Sequence, residues 1–177
     1  MSITLPTEFD KGCFCAWLSV AIAQNRKLTR QDTNMLFIGA LAHDIGMLHL
    51  SPELLKEYKK YSPEEWKKMQ NHTLIGCEIS KLTPLLPTAV SEIILYHHET
   101  CDGTGYFGKQ QSELHRYSLI IALIDNLFAV RFKQKQNEGK SLLDLMPFLQ
   151  ANQYIFGYEN YASLARVIKT LKTTRAC

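Results

Sequence analysis

No stretch of about 18 consecutive apolar residues occurs in this 177-residue chain, so no segment reads as a helix that crosses a bilayer. The opening residues, Met1-Ser2-Ile3-Thr4-Leu5-Pro6, carry no basic region followed by an apolar run, and no secretory signal is expected. Cysteine is sparse. Cys13, Cys15, Cys77, Cys101 and Cys177 are odd in number and scattered, which excludes a disulfide framework. Cys13-Phe14-Cys15 lacks the spacing of a zinc knuckle, so the expectation is free thiols in a reducing cytoplasm. Charge of one sign is also lacking. The formal net charge of +3 is too mild for binding duplex nucleic acid, though it suits an anionic small molecule. Two-residue hydrophobic alternation and internal repeats are missing, which argues against sheet and solenoid folds.

What remains is ordinary globular composition, 46% hydrophobic and 21% charged, in a length that fits one domain with a full core. The expected layout is a leader over 1–11, a core over 12–135 and C-terminal helices over 136–177. Cys13 to about Gln24 is apolar almost all round and reads as a buried helix. Thr29, with Asp32 three residues on, caps the next helix, which runs to Ala42. Ser51-Pro52-Glu53 and Ser62-Pro63-Glu64-Glu65 both read as helix starts, and Glu65 completes a capping box with Ser62. In the second of these helices Trp66, Met69 and Leu74 are expected to mark the inner face, with His72 close to it. Thr88 is expected to cap a helix ending at His97-His98. A glycine-rich loop, Cys101 to about Ser112, leads to a long apolar helix from His115 to Phe132. After a polar linker, Lys133 to Lys140, come helices over about Ser141–Gln150 and Tyr161–Thr170, then a basic tail.

The chemistry concentrates in a few places. Neighbouring residues on a helix are about 100° apart, so His97 and His98 cannot both enter a dry core. They read as ligands for one metal, or for two adjacent metals, or as a solvated helix end. His43-Asp44-Ile45-Gly46 sets two metal-competent groups where an apolar helix turns; a core histidine beside a capping aspartate is equally compatible. His72 alone could be an interior imidazole with a backbone partner, and His49 reads as a loop residue. Asp125 lies inside a nearly continuous apolar run, where a carboxylate is costly unless paired or ligated. His43, Asp44, His72, His97, His98 and Asp125 recur roughly every 25–28 residues, about one helical hairpin apart. Six nitrogen and oxygen donors exceed what one tetrahedral zinc uses and suit two divalent metals bridged by Asp44.

His43-Asp44-Ile45-Gly46, Ser62-Pro63-Glu64-Glu65-Trp66 leading to Asn71-His72 and Ile75-Gly76, His97-His98-Glu99 with Asp102-Gly103-Thr104-Gly105-Tyr106, and Asp125 together resemble the HD-GYP subgroup of the HD phosphohydrolase superfamily. The resemblance covers about residues 12–135. It implies an all-α HD-domain bundle and cytoplasmic hydrolysis of cyclic di-GMP by a metal-bound hydroxide. It also implies a site of two or three metals, iron or manganese foremost, with zinc, nickel or magnesium as alternatives. Carried over, the six residues above are the metal ligands and Asp44 is the catalytic centre. Tyr106 lies near the nucleotide or on a surface for a signalling partner that contacts the Gly103–Phe107 loop. The chain also departs from the family. Gly12 and Ala16 align with the first-helix glutamate and histidine, which excludes a third metal. Met47 replaces the usual lysine, Phe107 the signature proline and Phe128 a common second aspartate. Lys133-Gln134-Lys135 replaces an arginine-containing stretch. The alternative expectation is therefore a degenerate domain that binds a nucleotide or partner without hydrolysis.

Overall fold

The computed structural model describes residues 8–56, 60–132 and 140–174. The first part of the expected leader, most of the 133–140 linker and the end of the basic tail lie outside them. The described residues form helices α1 (Glu8–Asn25), α2 (Arg30–Ala42), α3 (Pro63–Lys81), α4 (Thr88–Leu95), α5 (Ser118–Phe132), α6 (Met146–Ala151), α7 (Gln153–Phe156) and α8 (Tyr158–Thr174). Short 3-10 turns cover Ile45–His49 and Gln111–Glu113. There is no strand among the described residues, and the all-α expectation holds.

α5 is the centre. Its sequence is apolar on every face, so it can be stable only if it is covered all round. α1, α4, α7 and α8 pack against it. Leu18, Ile22, Leu36, Ile93, Ile120, Ile121, Ile124, Leu127, Leu149 and Leu164 form the shared core. The caps read from sequence are in place at two helix starts. The Asp32 amide donates to Thr29 Oγ1 at 3.1 Å. Ser62 Oγ accepts from the Glu65 amide at 3.2 Å while Glu65 Oε2 accepts from the Ser62 amide at 3.1 Å, with Pro63 opening α3.

Several elements differ from expectation. α1 begins at Glu8 rather than Cys13, so Lys11 is helical. Ser51-Pro52-Glu53 starts no helix: the Leu54 and Leu55 amides donate to Ser51 and Pro52 carbonyls in successive turns, because no apolar stripe follows to reward a longer helix. The inner face of α3 is Met69, His72, Thr73, Gly76, Cys77 and Ser80, at spacings of three and four, while Trp66 and Leu74 are each 45% exposed. Small residues lie inward because the helix is packed at close range, which bulk alone does not signal. Pro87, not Thr88, takes the cap position of α4. α5 begins at Ser118 rather than His115. The C-terminal segment folds as three helices, the last from Tyr158, with Gly157 at φ +88° making the final break.

The close packing of α3 rests on Gly46. A Cβ there would lie within van der Waals overlap of the His72 carbonyl oxygen and 2.7 Å from the Gly76 amide nitrogen. No side chain fits, so the turn carrying Asp44 lies directly on the helix carrying His72. Gly46→Ala must push these backbones apart, at a cost of about 3 kcal/mol. For a chain of this size that lowers Tm by roughly 6–12 °C. Thermal denaturation by circular dichroism checks it, and a variant melting with the wild type would contradict the packing.

Candidate metal centre

Five helices meet at a common point, some by an end and some by their middle. α2 ends at His43-Asp44, α3 supplies His72 from its middle, and α4 ends just before His97-His98. α5 supplies Asp125 and α1 supplies Lys11 from its first turns. All six donors singled out in the sequence converge here. His43, Asp44, His72 and His97 are buried, Asp125 is nearly so, and His98 lies at the rim.

The imidazoles are oriented by one repeated device. Nδ1 of His43, His72 and His97 lies 2.7 Å from the carbonyl oxygens of Ala40, Met69 and Ile94 respectively, in each case three residues earlier. A carbonyl only accepts, so each Nδ1 carries the proton and each Nε2 faces inward. That is how proteins fix histidines for metal ligation. Inside, His72 Nε2 and His97 Nε2 are 3.4 Å apart. Asp44 Oδ1 lies 3.4 Å from the first and 3.5 Å from the second. Burial and the neighbouring His97 lower the His72 pKa to about 4, so it is neutral at physiological pH. Burial and His97 likewise hold His98 well below the ordinary histidine value. The inward-facing Nε2 atoms of His72 and His97 and Asp44 Oδ1 thus converge on one point. Asp44, His72, His97 and His98 each offer a ligand atom within 4.8 Å of the others, a set that can hold a divalent cation.

The other side of Asp44 differs. His43, Asp44 and Asp125 form a second convergent group. Lys11 Nζ lies among them, 2.5 Å from Asp44 Oδ2 and 2.6 Å from Asp125 Oδ1. Burial opposes the Lys11 ammonium, but the Asp125 and Asp44 carboxylates outweigh it and raise its pKa well above the usual value. Burial would raise both carboxyls. His43 and Lys11 instead drive Asp44 well below the ordinary range, and Lys11 chiefly does so for Asp125. Burial disfavours the His43 imidazolium as well, yet Asp44 and Asp125 raise that group to about 9.

Lys11 was not a candidate on sequence grounds. The residues aligned with the family's first-helix ligands are filled otherwise: a Cβ on Gly12 would lie 2.8 Å from the Leu41 carbonyl oxygen, and Ala16 is in the core. The only hint was a lysine one residue before Gly12, and it shows once α1 is extended back to Glu8.

Tyr106 stands beside the centre. Its ring lies 4.5 Å from that of His98 and 5.8 Å from that of Trp66, which in turn meets Tyr61 at 5.9 Å. Burial and the Asp125 charge push the Tyr106 hydroxyl pKa upward, so it stays a neutral donor. Glu99 holds the loop. It is 1% exposed, and its two carboxylate oxygens accept from the Phe107 and Lys109 amides, both at 2.7 Å. Gly105 allows this closeness, since a Cβ there would lie 2.5 Å from the Glu99 Cα.

A helical bundle with an inward-facing histidine–aspartate cluster defines a metal-site α-protein. The chain belongs to the HD domain family, whose pattern matches residues 3–158. It is 32% identical over 129 residues, 71% of its length and 35% of the relative's, to a cyclic di-GMP phosphodiesterase of Thermotoga maritima. It is 26% identical to a 3'3'-cGAMP-specific phosphodiesterase of Vibrio cholerae, over 82% of this chain and 32% of that protein. It thus spans about a third of the length of these curated relatives. An HDG"Y"P protein from Bdellovibrio bacteriovorus shares the fold, with a TM-score of 0.74 at 23% identity, covering 92% of this chain and 53% of that one. The matched pattern and the shared fold thus agree on an HD domain.

Glu99→Ala removes a carboxylate that two amides share in a dry setting, which costs about 2–4 kcal/mol. Beyond the loss of Tm, Tyr106 loses its fixed place over His98. Tyrosine fluorescence or NMR of the Tyr106 ring reports this, and an unchanged ring environment would refute the role given to Glu99.

Proposed function

We propose that this chain is a metal-dependent phosphohydrolase that opens a phosphodiester of a cyclic dinucleotide, cyclic di-GMP foremost. The observation that carries it is the convergence of Asp44 Oδ1, His72 Nε2 and His97 Nε2, acceptors 3.4–3.5 Å apart in a buried pocket. His72, His97, His98 and Asp44 would hold a divalent cation. This mixed nitrogen and oxygen set suits iron or manganese, with zinc, nickel and magnesium as competitors. When bound, such a cation supplies a Lewis acid for phosphoryl oxygens and lowers the pKa of water.

The remaining work falls to the chain itself. Asp44 is the central residue, one oxygen facing the imidazoles and the other facing Lys11 and His43. Lys11 bridges Asp44 and Asp125 and so fixes the position of both carboxylates. Tyr106 offers a neutral hydroxyl at the rim. Tyr61, Trp66 and Tyr106 form a half-exposed aromatic row of the kind on which bases stack. The names of the relatives support the cyclic dinucleotide class, and both cyclic di-GMP and 3'3'-cGAMP belong to it. No helix among the described residues is long and apolar enough to cross a membrane.

A second reading has its own support. Gly12 and Ala16 offer no ligand, and Met47 replaces a lysine of the family pattern. These losses favour a domain that binds nucleotide without cleaving it and signals through a partner at the Gly103–Phe107 loop, where Phe107 is 39% exposed.

Purified protein with added Mn(II) or Fe(II) is expected to convert cyclic di-GMP or 3'3'-cGAMP to a linear product, resolved by chromatography. Asp44→Asn is expected to lower turnover by about 100-fold or more, as loss of a shared ligand does. Tight nucleotide binding with no product in any metal would reject the enzyme reading and leave the second. Trp66→Ala, on the exposed side of the row, is expected to raise KM roughly tenfold with little change in kcat, since stacking is worth about 1–3 kcal/mol per base. A fall in kcat at constant KM would contradict a stacking role.

A further inference from the structure

We infer that Lys11 occupies the place of a second metal ion, so that this centre takes one divalent cation, held by Asp44, His72, His97 and His98. The inference rests on the metal-centre reading above and replaces the expectation of two metals. The two candidate groups share Asp44 and differ in what fills them. The group of Asp44, His72, His97 and His98 presents converging acceptors with no cationic side chain among them; Asp44 Oδ1 makes no hydrogen bond among the described residues, and neither do Asp125 Oδ1 and His43 Nε2 of the other group, so the ammonium is what tells the two apart. The group of His43, Asp44 and Asp125 is already bridged by an ammonium, with Nζ at 2.5 Å and 2.6 Å from the two carboxylates. These are the separations at which a bridging cation would itself stand.

Geometry and charge both oppose a second ion. Nζ lies between the oxygens such an ion would need, and Lys11 is 5% exposed. A divalent ion beside the ammonium would face unscreened repulsion in a buried setting. The two α1 positions aligned with the family's ligands offer no donor: Gly12 lies against the Leu41 carbonyl and Ala16 is in the core. Lys11 therefore does by covalent attachment what a second ion does elsewhere. It bridges two carboxylates and supplies them with positive charge that metal loss cannot remove.

The chain loaded with excess Mn(II), desalted and analysed for metal is expected to hold one ion per chain, with an EPR spectrum of isolated Mn(II). Lys11→Glu, which removes the ammonium and adds a carboxylate, is expected to hold two and show a spin-coupled pair. Lys11→Gln is the milder partner variant, with circular dichroism confirming the fold. His72→Ala is expected to hold none. Two ions per wild-type chain would overturn the inference while leaving the phosphodiesterase reading intact. One ion per chain with no hydrolysis of either dinucleotide would support the inference and sink that reading. One ion in both the wild type and a folded Lys11→Glu would show that the ammonium does not decide the count, and would overturn it. No ion in the wild type would overturn it together with the metal centre. If neither Lys11 variant folds, the wild-type stoichiometry and its spectrum still decide.

Discussion

Two carboxylates in a protein interior are unstable unless positive charge reaches them, and the arrangement around Asp44 follows from that constraint. Asp44 and Asp125 are about nine-tenths buried, so water solvates them far less than it would an exposed pair. Lys11 answers part of the demand through its contacts to both. The remaining part lies on the other oxygen of Asp44, which the Nε2 atoms of His72 and His97 face at 3.4 Å and 3.5 Å. The backbone carbonyls of Ala40, Met69 and Ile94 prevent relief by ring rotation, because turning any ring would strand its Nδ1–H and a carbonyl together. The site is thus fixed in a state that is complete only with a cation.

Such a site cannot be built from loosely packed helices. Asp44 reaches the imidazoles because the turn after α2 lies against α3 at Gly46 and Gly76, with the Cβ position of Gly76 only 3.4 Å from the Gly46 amide nitrogen. Gly39 similarly brings α2 onto Ile93 of α4, just before the histidine pair. The glycines thus act on the chemistry at one remove. They set the distance between helices, and that distance sets whether three ligands from three elements share one point. Glu99 extends the same logic to the signature loop, and a Cβ on Gly105 would collide with its backbone.

Much of this was legible in the sequence, and for identifiable reasons. His43-Asp44, His97-His98 and Asp125 stood out because polar residues inside apolar runs violate the hydrophobic pattern, and such violations mark sites. The caps at Thr29 and Ser62 depend on local hydrogen bonds alone and were readable for that reason. What failed depended on packing. Trp66 and Leu74 were assigned inward on size, but α3 turns its small residues in and leaves Trp66 for the aromatic row beside Tyr106. Lys11 was invisible because a lysine near a chain end ordinarily reads as solvated, and its register on α1 follows only from where that helix starts. Glu99 was noticed as a carboxylate beside the histidines, yet its partners are backbone amides eight and ten residues away, which no side-chain pattern announces.

The departures from the family pattern form a consistent set once Lys11 is included. Position 47, where the resemblance implies a lysine, is a methionine, and Lys11 of α1 brings a cationic side chain to the centre. The carboxylate common three residues after Asp125 is Phe128, which packs with Phe14 at 5.5 Å and Phe132 at 4.7 Å. A second aspartate there would add negative charge that a single ammonium could not balance, while an aromatic residue adds none. Fewer anionic ligands and one built-in cation lower the demand for divalent charge together.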